Sequence, residues 1–216
     1  MTIDPAVLTA AATPYSQARA LIQNGDIALF HGDEPFSKLI ETFTDGPFSH
    51  VGFVWRMDDI DRVMLLECVD QLGVRLIPLS TKINGNGTPS NPPYTGKLVI
   101  GRRRDFPIGI AGADHPDNGK FRDMTKFAVD RVGCPYSAHD IAGIAARIMV
   151  GFAGVTAAKD LAPDGSYICS EYAWACYDRV GVQIPYNAEK FIAPNDFARD
   201  PLVDFVAHVG TDPAGG

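Results

Sequence analysis

The sequence predicts an α+β domain with a mostly antiparallel sheet and helices packed on one side. Three observations carry that expectation. Short apolar runs of strand length follow one another between residues 51 and 79, parted by tight polar turns. The second half of the chain switches to apolar residues at helical spacing. No repeat or compositional break divides the two halves, so residues 1–209 read as one domain, with 210–216 a disordered Gly-rich tail.

The elements follow in order. Residues 14–23 suit a short helix closed by Asn24-Gly25, a C-cap pair. Residues 26–30 form a short apolar run of strand length. Asp33-Glu34-Pro35 opens a helix, with acids near the positive end of its dipole and proline in the first turn. Phe36, Leu39, Ile40 and Phe43 give it an apolar stripe, and Gly46-Pro47 stops it. Strands at 51–55, 62–69 and 73–79 suit a meander. Residues 82–96 read as a loop dense in Gly, Asn and Pro, 97–103 as a strand and 109–119 as a second loop. Helices are expected at 120–132 and 168–180, a single turn at 195–199, and a last strand at 202–209.

Composition is ordinary for a globular chain of 216 residues, with 46% hydrophobic and 21% charged residues. The net charge of −7 argues against a general nucleic-acid binder, which needs clustered Lys and Arg for phosphates. The one basic run, Arg102-Arg103-Arg104, is followed at once by Asp105 and reads as a solvated strand end. Residues 1–12 contain Asp4 and Pro5 and build no apolar segment. No secretory signal is therefore expected, and the reading is a cytoplasmic protein, or one released by lysis or a dedicated route. Residues 140–158 are strongly apolar but carry Arg147, Gly151 and Gly154, which argues against a membrane span. A core helix or helix pair is one reading of that stretch. The other is an apolar flap that receives an acyl chain or touches a membrane surface.

Four cysteines, at 68, 134, 169 and 176, show no CxxC spacing, so neither a zinc knuckle nor a redox pair is suggested. Cys169 and Cys176 lie two turns apart along one helix, too far for a disulfide. No cofactor is implied. His50 and Glu67 could ligate a metal, but a third ligand at suitable spacing is missing.

The chemistry concentrates in two distant segments, Ser49-His50-Val51-Gly52 and Tyr167-Ile168-Cys169-Ser170-Glu171. The first delivers a histidine to the mouth of a strand. The second delivers a thiol to the first turn of a helix. There the unsatisfied backbone N–H groups and the helix dipole favour thiolate and can also hold an oxyanion. The competing reading of Cys169 is a small buried hydrophobe, the common fate of a free cysteine. His50 alone reads equally as a structural histidine; His31, His115, His139 and His208 have turn, loop, cap or tail explanations. Glu67 is a lone carboxylate in the apolar run Val63-Met64-Leu65-Leu66-Glu67-Cys68. Antiparallel pairing of 51–55 with 62–69 would bring it level with His50. A pair with Arg75 on the next strand is the alternative.

The order His–Glu–Cys on strand, strand and helix resembles the circularly permuted papain-like (NlpC-like) cysteine hydrolases of the YiiX/YebB type. More distantly it resembles the lecithin:retinol acyltransferase-like proteins. The resemblance rests on Gly25-Asp26-Ile27-Ala28-Leu29-Phe30, Phe48-Ser49-His50-Val51-Gly52, Leu66-Glu67, Gly133-Cys134-Pro135-Tyr136, Tyr167-Ile168-Cys169-Ser170-Glu171 and Ala193-Pro194-Asn195-Asp196-Phe197. It implies a permuted papain-like fold, a sheet or half-barrel with helices on one side. It further implies Cys169 as nucleophile, His50 as general base and Glu67 as the residue orienting the imidazole. Tyr136 and Tyr167 would line the cleft, with Ser49 and Ser170 assigned beside them to substrate binding.

The expected activity is cleavage of an amide bond in a peptide, such as a peptidoglycan stem peptide, or in an isopeptide or N-acyl substrate, through a thioester. A lipid-directed thioesterase or acyltransferase with the same triad is the second expectation. A catalytically silent binding module is the third.

Overall fold

Apolar residues at successive positions can all be buried only in strands covered on both faces. The runs at 27–30, 51–54 and 98–100 meet that condition. The computed structural model describes residues 3–33, 35–106, 116–137, 165–185 and 192–213. Among them are seven strands: β1 (Thr13–Pro14), β2 (Ile27–His31), β3 (His50–Met57), β4 (Arg62–Val69), β5 (Gly73–Pro78), β6 (Lys97–Arg103) and β7 (Val203–Gly210). The six helices are α1 (Tyr15–Ala18), α2 (Pro35–Phe43), α3 (Leu79–Asn84), α4 (Pro116–Val129), α5 (Cys169–Asp178) and α6 (Pro194–Arg199). The strands form one open sheet in the order β1-β7-β6-β2-β3-β4-β5, an α+β architecture. Every neighbouring pair is antiparallel except β1 with β7.

Alternation along the strands divides the interior into two cores. Ile27, Leu29, Val51, Phe53 and Leu66 face the first core, with α4, α5 and α6 packed over them. Ala28, Phe30, Val54 and Leu65 face the second, which the short α1 and α3 cover through Ala18, Leu79 and Ile83. The longer helices thus share one side. At the β5 edge, Val74 N–H donates to the Cys134 carbonyl and Gly133 N–H to the Val74 carbonyl, both at 2.9 Å. These bonds occupy backbone groups that an edge strand otherwise leaves open.

Several expectations change. The loop expected from 82 begins at 85, because α3 runs to Asn84 and buries Leu79 and Ile83 beneath the sheet. The arginine run is not a solvated strand end. Arg102 grips the buried Asp26 with two 2.8 Å bonds, and Arg103 is itself buried against Asp200 at 2.8 Å and Asp105 at 2.6 Å. Only Arg104 lies at the surface, paired with Asp204. Gly210 belongs to β7 rather than to a tail. Beyond it the Asp212 carboxylate accepts from Ser16 N–H at 2.7 Å and from Asn84 Nδ2 at 2.8 Å.

The helix expected at 120–132 starts at Pro116. Residues 109–115 of the second loop, the stretch 140–158, positions 214–216, and the side chains of Phe36, Leu39 and Phe43 lie outside the described residues. Among the described residues no helix is long and apolar enough to cross a membrane.

Gly52, in β3, lies where two strands approach closely. A Cβ there would stand 2.6 Å from the Leu66 carbonyl oxygen and 3.1 Å from Glu67 Cβ. Gly52→Ala is therefore expected to lower the unfolding free energy by about 1–3 kcal/mol in urea titration, as overpacking does. A stability unchanged from wild type would refute this account of the β3–β4 contact.

Candidate active site

His50 is the first residue of β3, paired with Phe30 of β2 and tilted against its ring at 5.2 Å between centroids. It therefore points to the second-core side of the sheet. Asn195, at the start of α6, holds the approach to it. Its Oδ1 accepts from Phe48 N–H and its Nδ2 donates to the Phe48 carbonyl, both at 2.9 Å, and it also reaches Thr44 Oγ1 at 2.6 Å. Nothing in the sequence around Asn195 points to that role. An amide that both donates to and accepts from one residue's backbone is the signal that only the folded chain displays.

In the β3–β4 register Glu67 lies opposite Gly52, two residues along from His50 on the same face. The glycine leaves room for the imidazole to cross to the carboxylate. His50 Nε2 lies 2.7 Å from Glu67 Oε2. The β4–β5 register sets Arg75 directly opposite Glu67, and its Nε and Nη2 donate to Oε1 at 2.8 and 2.5 Å. The two readings of Glu67 were rivals in the sequence, yet both hold. The carboxylate is wholly buried.

Cys169 arrives from the other side. It opens α5, which packs on β3, β4 and α4 within the first core, and its side chain is 5% exposed. Glu171 bends back so that its Oε2 accepts from Ile168 N–H at 3.2 Å, fixing the entry to the helix. The preceding backbone is pinned as well. The Tyr167 carbonyl accepts from Ser137 N–H at 3.0 Å and from the Cys68 thiol at 3.1 Å. His50 stands at the start of β3, where Cys169 acts on its ring through charge and hydrogen bonding as one of the causes of its raised pKa. With Nε2 committed to Glu67, Nδ1 is the nitrogen left for the sulfur.

Burial alone would lower the His50 pKa, but the charge and hydrogen bond of Cys169, then those of Glu67, outweigh it and raise it to about 9. Burial likewise pushes Glu67 upward, and His50, then Lys82 and Arg75, reverse this and hold it at about 2. Lys82 contributes from α3, its ammonium over the Phe30 and Tyr94 rings at 5.2 and 5.3 Å. The sequence hides it, because residue 82 reads there as the start of a loop. Burial pushes the Cys68 and Cys176 thiols well up, which keeps both protonated.

The remaining assigned residues fall into two groups. Tyr136 and Tyr167 form a parallel bridge beside Cys169. Burial, and after it the Cys169 charge, keeps the Tyr136 hydroxyl protonated, while Arg131 Nε donates to the Tyr167 hydroxyl at 2.9 Å. Ser49 and Ser170 are both buried, and the Ser49 hydroxyl turns back to the Phe30 carbonyl at 3.4 Å. Of the other histidines, His31 Nδ1 is hydrogen-bonded to Pro47 O at 2.7 Å and lies 2.9 Å from Glu41 Oε1, and His208 is hydrogen-bonded to Ala10 O at 2.9 Å. His115, His139 and the apolar stretch 140–158 lie outside the described residues.

The chain matches no protein-family model and no curated protein sequence. Among solved structures it is similar to the metalloprotein YiiX from Escherichia coli O157:H7. The two share 17% identity at a TM-score of 0.58, over 88% of this chain and 99% of the other. The chain has the YiiX-type fold.

The linked pKa values define a pH window. Glu67, lowered from 4.5 to about 2, contributes stability that is complete above pH 4.5 and lost as pH falls through 2. His50, raised from 6.5 to about 9, contributes stability that is complete below pH 6.5 and lost as pH rises through 9. The stability difference between wild type and His50→Gln should therefore shrink from pH 6.5 to 9. Urea unfolding at stepped pH measures it, and a flat difference would contradict the assignment. In NMR titration the His50 midpoint should stand near 9 and drop in Cys169→Ala.

Proposed function

We propose that the protein is a cysteine hydrolase of permuted papain-like type that cleaves amide bonds with Cys169, His50 and Glu67. The observation that carries this reading is the His50–Glu67 pair. An imidazole bonded at 2.7 Å to a buried carboxylate feels the charge of a cysteine that opens a helix. The YiiX-type fold supports it as analogy.

In this mechanism the Cys169 thiolate attacks the carbonyl carbon of the scissile amide. The carbonyl electron pair moves to oxygen, where backbone N–H groups of the first helical turn stabilise the charge. Protonated His50 gives its proton to the departing nitrogen, the C–N bond breaks, and an acyl thioester stays on Cys169 while the amine leaves. Neutral His50 then takes a proton from water as its oxygen attacks the thioester. Collapse expels the thiolate and releases the carboxylic acid. Glu67 stays ionised throughout and fixes the ring orientation. Substrates are peptides, isopeptides or N-acyl amides, with peptidoglycan stem peptides among them.

The YiiX structure is described as that of a metalloprotein. Among the described residues of this chain, no group of three or more His, Cys, Asp or Glu could hold a metal ion. The Glu67 carboxylate already lies between an imidazole and a guanidinium, so a cation placed there would face one present. The donor set does not fit a metal, and no step is routed through one.

The test is a panel of stem peptides, isopeptides and N-acyl amides set against acyl thioesters and phospholipids, with released amine or acid quantified. Amine release should vanish in Cys169→Ala and fall about 10²–10⁴-fold in His50→Gln. Iodoacetamide should alkylate Cys169 ahead of the other three thiols and abolish turnover. Turnover that survives in Cys169→Ala would end the proposal, and release of acid from lipids alone would move the substrate class to acyl esters.

A further inference from the structure

We propose that Arg75 is a positioning residue of the site, gripping one oxygen of Glu67 so that the other faces only His50. The inference rests on the Cys169–His50–Glu67 reading and adds to it a residue that touches neither substrate nor nucleophile.

The geometry divides the carboxylate cleanly. Oε1 receives both Arg75 bonds, at 2.8 and 2.5 Å, and Oε2 receives His50 at 2.7 Å. Two donors of one planar guanidinium converging on a single oxygen hold that oxygen in place, and His50 on Oε2 sets the direction of the other. The backbone enforces the meeting, because Arg75 and Glu67 are register partners on adjacent strands. Val74, one residue earlier, is buried in the first core, so Arg75 must project to the face that carries Glu67.

The charged and titratable groups around Glu67 come from every neighbouring element. His50 comes from β3, Arg75 from β5 and Lys82 from α3, with Tyr94 and Cys68 present as neutral groups and Cys169 beyond the imidazole. Lys82 supplies charge from above two aromatic rings. Arg75 supplies charge and direction together. Without it, Oε1 becomes a buried acceptor with no donor, and the carboxyl group must take up a proton or swing away. Either change releases the imidazole from the orientation that presents Nδ1 to Cys169.

Arg75 therefore acts on His50 and through it on the thiol, so the test needs no substrate. Full-length wild type, Arg75→Gln, Arg75→Lys and Lys82→Met are compared by the rate of Cys169 alkylation with iodoacetamide at pH 7, read by mass spectrometry. NMR titration of the His50 ring and the Glu67 carboxyl accompanies it, with urea midpoints recording which variants fold. Arg75→Gln is expected to slow alkylation about tenfold or more, the loss that follows when a general base is displaced. In the same variant the His50 midpoint drops and the Glu67 midpoint rises. Arg75→Lys, which keeps the charge without the fork, gives an intermediate rate. Lys82→Met removes charge without touching the grip and stays within about twofold of wild type. Folded Arg75→Gln with a wild-type alkylation rate and unmoved His50 midpoint overturns the proposal. Should Arg75→Gln fail to fold, a wild-type rate and unmoved His50 midpoint in Arg75→Lys overturn it instead. A wild-type Cys169 that alkylates no faster than an ordinary free thiol defeats the hydrolase reading, while the NMR midpoints still judge the grip.

Discussion

A carboxylate buried on β4, one strand in from the edge of the sheet, is the constraint on which the rest of this structure depends. Glu67 is removed from water, and burial by itself would drive it to the neutral acid. Its charge survives because His50 and Arg75 take one oxygen each and Lys82 adds a third positive charge nearby. That solution works in one register alone. Sliding β4 by a single residue against either neighbour would turn Glu67 into the first core, toward Phe53 and away from His50 and Arg75. The ion pairs, the close-packed Gly52 and the alternation of β5 thus specify the same ladder three times.

The same physics explains what the sequence exposes and what it conceals. The strands at 62–69 and 97–103 are legible to the residue, since each is a long apolar run ended by turn chemistry that acts locally. The central place of β2, between β6 and β3, is not legible. It depends on pairing across more than sixty residues, and short apolar runs carry no information about which partner they choose. α3 is hidden for a different reason. Its six residues hold only two buried apolar positions, too few to show a period, and it lies beside a Gly- and Asn-rich loop that dominates the local composition. The arginines of 102–104 look alike in the chain. Their fates are set by Asp26 and Asp200, which are remote in sequence and close in space.

Of the site, His50, Glu67 and Cys169 could be named from sequence because each breaks a local pattern: a histidine at a strand mouth, an acid inside an apolar run, a thiol after a turn. Arg75 breaks none. An arginine on the alternate face of an edge strand is ordinary until the opposite residue is known. Asn195 is equally silent, since its value lies in clasping Phe48, 147 residues away in the chain, and so in setting where β3 begins. Residues that carry chemistry advertise themselves by being out of place locally. Residues that aim them do so through contacts with no local trace.

Burial does not distinguish the candidate nucleophile from its neighbours. Cys68, Cys169 and Cys176 are all buried in the same core, and Cys169 and Cys176 share a helix. Their surroundings differ. Cys68 spends its proton on the Tyr167 carbonyl, and Cys176 packs beside Tyr172. Cys169 alone of the three opens the helix and is among the groups that raise the His50 pKa. A helix N-terminus supplies a favourable field but no proton acceptor, and a buried His–Glu–Arg array supplies an acceptor but no nucleophile. The proposed site takes its thiol from α5 and its acceptor array from β3, β4 and β5, so neither the helix nor the strands taken singly would meet the needs of the proposed chemistry.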